Sequence, residues 1–299
     1  INNVYYCPNN IIIDNYEVKK YDKDKYLLFD YFLLNVETKE FVVEYQSDGF
    51  FGLCSNIERI EIEKQESNKI VKIYDQKSGL TEMVLNNKSA IKKVKNDNVQ
   101  VIEENFLHNS RDIEEISLSK AEQIKDGFLS SAKKTMIVFL PQAQSIGKHF
   151  LEENETIQIL SLPKAKIIKR GFLPFNDTLR TIDAPEVEVI EDFFLNNNNT
   201  MKEISLPKAK TIGYGFMSQN NQFKKVYFPN AETFGSHFLN QNNSIEEMIL
   251  PKAKSIGTHF LESNRKLKKL VFSKELEEKL GRLLDPDLDR TMMEALKVK

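Results

Sequence analysis

The chain has 299 residues, with 42 Lys and Arg against 44 Asp and Glu, so its net charge is −2 at pH 7. This balance excludes non-specific nucleic-acid binding as the main activity, because neutralising phosphates requires a clustered basic excess. The 40% hydrophobic and 29% charged composition is typical of a globular chain, and no apolar run approaches the ~20 residues that cross a bilayer. Two cysteines, Cys7 and Cys54, are too few for a disulfide scaffold.

Residues 1–45 are rich in Tyr, Ile, Val and Phe, which predicts an N-terminal β-rich cap. The clearest strands are expected at 26–29 and 40–43, with turns at 22–24 and 37–39. An alternative interpretation makes the first 95 residues a small catalytic domain. That segment contains no histidine, so its chemistry would depend on carboxylates such as Asp14 and Asp22.

Residues 46–94 carry an irregular version of a pattern that becomes regular further along. Phe50 and Val84 each begin a segment with apolar residues at the expected spacings, including Ile57 and Ile91. The step from Phe50 to Val84 is longer than one repeat. We therefore expect degenerate first coils with an insertion near residues 63–79.

Residues 95–272 contain a regular internal repeat. Eight phenylalanines recur at intervals of 22 residues without insertion or deletion: Phe106, Phe128, Phe150, Phe172, Phe194, Phe216, Phe238 and Phe260. Each is followed by Leu or Met, and apolar residues recur seven, ten and twelve positions later, except that Thr135 breaks the seventh-position series. A small residue and another apolar residue complete most units. The repeat predicts a solenoid whose units bury a core only against their neighbours.

Local residue types indicate how each coil is built. The apolar-x-x-apolar-x-apolar segment is typical of a strand whose alternate residues enter the core, and a proline ends it in six coils. Glycines one or three positions before the phenylalanine, such as Gly171 and Gly213, predict a tight bend with positive φ.

The segment from Met201 to Phe216, with its Ile-x-Leu-Pro and Ile-Gly elements, resembles the BspA-like, or treponemal-type, leucine-rich repeats. The resemblance implies a leucine-rich-repeat solenoid, a right-handed coil of 22-residue units with a parallel β-sheet on its concave face. The fourth position after the phenylalanine is usually Cys or Asn in that family, and here it is asparagine in six coils. Four of these asparagines also match the glycosylation pattern, although stacked hydrogen bonding between coils explains all six. They are Asn154, Asn176, Asn198, Asn220, Asn242 and Asn264.

A binding face is predicted from the residues eight, nine and eleven positions after each phenylalanine, which should point outward from the sheet. Most are polar, but two groups are apolar. The first consists of Met136, Ile137, Phe139 and Ile159. The second consists of Tyr227, Ile249 and Val271, flanked by Lys224, Lys225, Glu246, Glu247, Lys268 and Lys269. Exposed apolar surface ringed by charge is typical of interaction sites. The alternative is local repacking, because a register shift of one residue beside Thr135 would bury Met136.

An enzyme is not predicted. The chain has no phosphate-binding glycine loop, zinc-protease helix, nucleophile elbow or Cys-x-x-Cys pair. His237 and His259 should be neighbours on adjacent coils, but two imidazoles are too few for a zinc site. We therefore expect no catalytic residue, no metal and no cofactor.

Residues 273–299 predict a C-terminal helical cap. Ser273 is suited to an N-cap, and Leu276, Leu280, Leu283 and Leu284 form an apolar face. Asp285-Pro286 ends this helix, and a second is expected at about 286–296. Capped ends predict a monomer rather than an end-to-end polymer.

The resemblance implies a non-enzymatic protein-interaction module without membrane insertion, in the manner of bacterial surface or secreted host-interaction proteins. The alternative is an intracellular effector or inhibitor, secreted into a host cell, that occludes a partner enzyme. The chain begins at Ile1 without an apolar leader, which fits either removal of a signal peptide or a trimmed chain. The partner is expected to be a protein whose identity the residues do not specify.

Overall fold

The structure, a computed structural model, describes residues 4–7, 10–13, 16–19, 26–29, 32–35, 37, 40–41, 56–65, 67–86 and 90–282. Six N-terminal strands form two antiparallel three-stranded sheets. The first contains β1 (Val4–Cys7), β2 (Asn10–Ile13) and β3 (Tyr16–Lys19). The second contains β4 (Tyr26–Phe29), β5 (Phe32–Asn35) and β6 (Glu40–Phe41). The strand predicted at 26–29 is present as β4. Cys54 lies outside the described residues.

Residues 57–96 differ from the coils expected there. They form four strands, β7 (Ile57–Gln65), β8 (Asn68–Asp75), β9 (Gly79–Asn86) and β10 (Ile91–Asn96), and consecutive strands pair antiparallel. Phe50, the predicted start of the first coil, lies outside the described residues, and most of the segment expected as an insertion at 63–79 belongs to paired strands and their turns. In this segment short turns join each strand to the next, so that neighbouring strands pair as antiparallel hairpins. The Asp75 carboxylate accepts the backbone N–H groups of Lys77 and Ser78 at 2.8 and 2.9 Å, which stabilises one of these turns.

Strand β10 connects the antiparallel meander to the repeats. It pairs antiparallel with β9 and parallel with β12, where Val94 lies opposite Ile116. The pairing agrees with the phase predicted for Val94, which stands one repeat before Ile116. The meander also extends the sheet at its N-terminal edge and buries Met83 and Leu85 in the core. It covers a strand edge that would otherwise present unpaired backbone groups.

The repeats form a parallel solenoid with two short strands in every regular coil except the one that contains residues 201–206. The first ladder continues from β10 through β12 (Glu115–Ser117), β14 (Ile137–Phe139), β16 (Ile159–Ser161) and β18 (Thr181–Asp183), and a separate sheet contains β21 (Lys225–Tyr227), β23 (Glu247–Leu250) and β25 (Lys269–Phe272). The second ladder consists of β11 (Val101–Ile102), β13 (Gln123–Ile124), β15 (Ser145–Ile146), β17 (Ile167–Ile168), β19 (Val189–Ile190), β20 (Thr211–Ile212), β22 (Thr233–Phe234) and β24 (Ser255–Ile256). Sequence analysis did not predict this second ladder.

The repeat phenylalanines form a continuous stack in the core. All eight are at most 4% exposed. Successive ring centroids are 5.0 to 5.8 Å apart, with the rings nearly parallel. These separations match the offset stacking that aromatic quadrupoles favour. Each phenylalanine therefore joins its coil to the next one, as the 22-residue spacing predicts.

The turn around each phenylalanine uses positive φ, but not at every glycine. Gly171, one position before Phe172, has φ of 74°, as predicted. Gly213, three positions before Phe216, has no positive φ, so the prediction is wrong at that position. A Cβ there would lie 2.6 Å from the backbone carbon of Glu191. Glycine is needed at this second position because adjacent coils approach too closely for a side chain.

The six ladder asparagines are buried, and Asn198 shows how such a side chain joins adjacent coils. Asn198 is 0% exposed, and its side-chain amide donates to the carbonyl oxygen of Asn176 at 2.6 Å, one coil earlier. Its Oδ1 accepts the backbone N–H groups of Thr200 and Met201 at 3.2 and 2.9 Å. The hydrogen-bonding interpretation is confirmed here. Because these side chains are buried, the four asparagines that match the glycosylation pattern are not accessible for glycosylation in the folded chain.

One helix follows the last strand. Helix α1 (Lys274–Arg282) begins after Ser273, whose Oγ accepts the backbone N–H of Leu276 at 3.2 Å, as expected of an N-cap. Leu276 is buried and Leu280 packs against the core. The second helix predicted at 286–296 lies outside the described residues. Within the described part of the chain, no helix is long and apolar enough to cross a membrane.

Candidate binding face

The outward side of the first ladder, which we call the strand face, follows from the alternation along each short strand. In β14, Val138 is buried, whereas Ile137 and Phe139 are exposed. The same pattern occurs in β16 and β21. Because alternate side chains of a strand point to opposite sides, the positions predicted to point outward do so here.

Four apolar side chains form one exposed group on the strand face, which we call patch one. Met136 is 53% exposed, Ile137 54%, Phe139 49% and Ile159 70%. Three of them lie on the adjacent parallel strands β14 and β16, which pair at Phe139 and Ser161. Contiguous exposure of four large apolar side chains is unusual on a solvated sheet face.

The register beneath patch one is fixed by Thr135. This side chain is fully buried, and its hydroxyl donates to the carbonyl oxygen of Ile113 at 3.3 Å. Its own carbonyl oxygen accepts the side-chain amide of Asn154 at 3.1 Å. Thr135 therefore occupies the apolar position of its coil, and the alternative register, which would bury Met136, is wrong.

Polar and charged side chains border patch one on both sides. Ile137 lies opposite Glu115, which forms an ion pair with Lys93 at 2.7 Å. On the other side, Ile159 lies opposite Thr181, and Asp183 on the same strand accepts a hydrogen bond from Ser161 at 3.1 Å. Patch one is thus an apolar island in a polar sheet surface.

The second predicted group, patch two, is less exposed than expected. Tyr227 is 58% exposed, but Ile249 and Val271 on the neighbouring strands are only half-exposed. The three are in register across β21, β23 and β25. Tyr227 therefore provides most of the accessible apolar surface of patch two.

The charged residues beside patch two pair with one another across coils. Glu247 lies between Lys225 at 3.3 Å and Lys269 at 2.7 Å, and Glu246 pairs with Lys268 at 2.8 Å. Hydrogen bonds from Lys269 and then Lys225 lower the pKa of Glu247 below its ordinary value. The hydrogen bond and charge of Lys268 lower the pKa of Glu246 in the same way.

Lys224 is exposed on the same strand face. Its positive charge also contributes to the lowered pKa of Glu246. The predicted charged flank of patch two is therefore largely neutralised internally.

The structure separates the two patches. Between β18 and β21 the coil at 201–206 has no strand, and the first ladder is interrupted there. The outward positions of that coil are the polar residues Lys202, Glu203 and Ser205. The two patches therefore lie on different sheets rather than on one continuous surface.

His237 and His259 lie next to each other on adjacent coils, as predicted. The rings of His237 and His259 stack with centroids 4.5 Å apart. His149 and His259 each contact a glutamate three residues later, Glu152 and Glu262, at 3.0 and 3.1 Å. Across the described ranges, no three His, Cys, Asp or Glu side chains come together in a group that could hold a metal ion.

Two surface features were missed by sequence analysis. Phe175 is 65% exposed on a turn. A polar groove of about 700 Å³ crosses the turns from Asn197 to Lys266. The signal for the groove was present as amide side chains recurring three and five positions after successive repeat phenylalanines.

Comparison with protein families agrees with this architecture. A family model described as "BspA type Leucine rich repeat region", in 6 copies, matches residues 80–179 and 166–280, which is more than half of the chain. A solved leucine-rich repeat protein from Bacteroides ovatus ATCC 8483 is similar at 13% identity and a TM-score of 0.40, over 73% of this chain and 70% of that chain. Comparison with curated proteins gives no match.

Proposed function

Because the chain belongs to the BspA-type leucine-rich repeat family, we propose that it is a non-enzymatic protein-binding module whose partner docks on patch one. The observation that carries this proposal is the exposure of Met136, Ile137, Phe139 and Ile159 as one apolar island. Protein interfaces concentrate their binding energy in such a desolvated centre with a polar rim. The Lys93–Glu115 ion pair and Asp183 provide that rim.

We place patch one ahead of patch two for a physical reason. Burial of an exposed apolar side chain releases about 25 cal/mol per Å², so the more exposed group has more binding energy to offer. In patch two only Tyr227 is largely exposed. Its charged neighbours Lys224, Lys225, Glu246, Glu247, Lys268 and Lys269 would serve as a secondary contact around Tyr227, Ile249 and Val271.

The test is affinity capture from host-cell lysate and host extracellular matrix in parallel. Wild type is compared with the Ile137→Asp/Ile159→Asp variant. A matched control is Ile167→Asp, which places the same charge at an exposed isoleucine of the second ladder. We expect a partner captured by wild type and by the control, with affinity lowered by about 30-fold or more in the patch-one variant.

A partner captured equally by all three proteins would contradict docking on patch one. Capture that is lost instead in Tyr227→Asp/Ile249→Asp would move the site to patch two. Thermal melts of every variant verify that the fold is retained.

The cellular setting belongs to the same proposal. We place the protein at the bacterial surface or outside the cell, the setting typical of the family. Protease treatment of intact source cells would then remove it. The effector alternative requires a partner from the lysate that is an enzyme and loses activity when mixed with this protein.

A further inference from the structure

A polar groove runs along the turns that precede the strands of the first ladder. It is lined by side chains three and five positions after successive repeat phenylalanines: Asn197, Asn199, Gln219, Asn221, Gln241 and Asn243. The groove ends at Arg265 and Lys266. None of its lining residues is part of patch one or patch two, so the groove is a separate surface.

One groove amide is used by the fold, since Asn221 accepts the backbone N–H of Asn243 at 2.9 Å, but the amides of the third position after each phenylalanine are not. The side chains of Asn197, Gln219 and Gln241 make no hydrogen bond within the described residues. The backbone N–H groups of Asn197 and Gln219 instead donate to the next coil, to Ser218 and Asn240, at 3.0 and 2.8 Å. The backbone is therefore satisfied without these amides, and their donors and acceptors remain available to a ligand.

The three groove coils from 197 to 243 are uncharged at these positions, whereas the same positions in other coils carry charge, including Arg265 at the end of the groove. Outside it these positions include Lys133, Glu153 and Glu155, and Lys133 pairs with Glu155 at 3.2 Å. Over the three coils from 197 to 243 every such side chain is an amide. A neutral surface that both donates and accepts hydrogen bonds is suited to a ligand rich in hydroxyl groups rather than to a charged polymer.

An exposed aromatic ring adjoins the neutral coils. Phe175 occupies the third position after its repeat phenylalanine, one coil before Asn197, and is 65% exposed. Its column continues through Asn197, Gln219 and Gln241. The negative face of an aromatic ring attracts the polarised C–H groups on one side of a sugar ring.

From these features we propose that the groove binds a linear oligosaccharide that runs across the coils. One sugar ring stacks on Phe175, and the hydroxyl groups of the following units hydrogen-bond with Asn197, Gln219 and Gln241. Successive coils are spaced at about 4.8 Å, close to the length of one sugar unit in an extended chain. Each coil would therefore contact one sugar unit.

The test begins with an array of linear oligosaccharides, both neutral and containing uronic acids. We expect wild type to bind at least one of them, and isothermal titration then gives its affinity. Gln219→Ala/Gln241→Ala and Phe175→Ser should each weaken this affinity by about tenfold or more. The control Glu153→Ala removes a side chain at the same turn position outside the groove and should leave it within about twofold.

A change in backbone strain would not explain a loss of affinity in the Gln219→Ala/Gln241→Ala variant. Gln219 and Gln241 already have positive φ, so alanine adds no new strain. The Ile137→Asp/Ile159→Asp variant should retain oligosaccharide binding, which separates this site from patch one. Absence of binding across the array, or wild-type affinity in both groove variants, would overturn the proposal.

Discussion

At the scale of single residues, Asn198 and Asn199 have opposite roles although they are neighbours in the chain. Asn198 is fully buried and makes hydrogen bonds both to the preceding coil and within its own turn. Asn199 is exposed, and only its backbone N–H is engaged, with Asp177 at 3.1 Å. A buried polar group contributes to stability mainly because its partners would be left unsatisfied without it.

Replacing Asn198 therefore tests the ladder. Asn198→Ala leaves the carbonyl oxygen of Asn176 and the backbone N–H groups of Thr200 and Met201 without this partner. We expect the free energy of unfolding to fall by about 2–4 kcal/mol, measured by urea denaturation. Asn199→Ala is the matched control and should change it by less than about 0.5 kcal/mol. Equal effects of the two substitutions would refute the structural role of the ladder.

At the scale of elements, each coil is held by turns whose glycines serve two different purposes. Gly171 has positive φ, a conformation that Phe193 and His237 also adopt at the equivalent position of other coils. Gly213 lies against the backbone of the preceding coil. Only the second kind excludes every side chain, since a Cβ would collide with backbone atoms.

Alanine at the two glycines should therefore differ in effect. Gly171→Ala introduces backbone strain of about 1–2 kcal/mol because the φ of this residue is positive. The added Cβ would lie 3.1 Å from the His149 side chain, which can move aside. Gly213→Ala should cost about 3 kcal/mol through displacement of neighbouring coils. Calorimetric unfolding of both variants provides the measurement. A larger loss in Gly171→Ala would show that φ, not packing, governs this turn.

The ion pairs between coils give stability a pH dependence. Lys268 lowers the pKa of Glu246, and Lys269 with Lys225 lowers the pKa of Glu247, from an ordinary value of 4.5. A lowered folded-state pKa stabilises the fold above the ordinary value, and this contribution disappears as pH falls through the folded-state pKa. Neutral and alkaline solutions therefore retain it in full.

Melting experiments between pH 7 and pH 3 test this dependence. Wild type should lose more thermal stability on acidification than Glu246→Gln/Glu247→Gln, which lacks the titrating groups. Glu203→Gln is the control, because Glu203 occupies the equivalent position two coils earlier without an ion pair. Identical pH profiles for wild type and the double variant would show that these pairs contribute nothing measurable.

At the scale of the whole molecule, the stability of the solenoid is approximately the sum of contributions from its coils and from the contacts between neighbouring coils. Neighbouring coils contact one another through the phenylalanine stack, and most of them also through the asparagine ladder and two strand ladders. Repeat proteins of this kind behave as a chain of units with nearest-neighbour coupling. The N-terminal meander completes the first ladder on one side, and α1 follows the last strand on the other.

Deletion of one coil is the corresponding experiment. A variant lacking residues 152–173 keeps the 22-residue phase, so Phe150 should stack on Phe194. We expect a native-like circular dichroism spectrum and a cooperative melt at lower temperature. Deletion of residues 152–162 breaks the phase and should abolish cooperative unfolding. A native-like melt for the out-of-phase variant would contradict the in-phase solenoid.

Much of the candidate face was predictable from the sequence. The exposure of Ile137, Phe139 and Ile159 follows from strand alternation once the repeat is known, whereas Met136 lies just before its strand. The difference in exposure between the two patches was not predictable, because the repeat pattern gives Ile249 and Val271 the same outward positions as the more exposed residues of patch one. The amide groove was missed because it appears only when turns of different coils are placed side by side.

The sequence by itself determined the 22-residue coil, the phenylalanine stack and the asparagine ladder. A repeat specifies its own partners, since each residue must meet its equivalent one period away. Only the tertiary structure decided that residues 57–96 form an antiparallel meander and that the first ladder is interrupted at 201–206. Outside the repeat, an apolar alternation specifies which side of a strand is buried, whereas its pairing partner and direction depend on turns and distant contacts that no local pattern encodes.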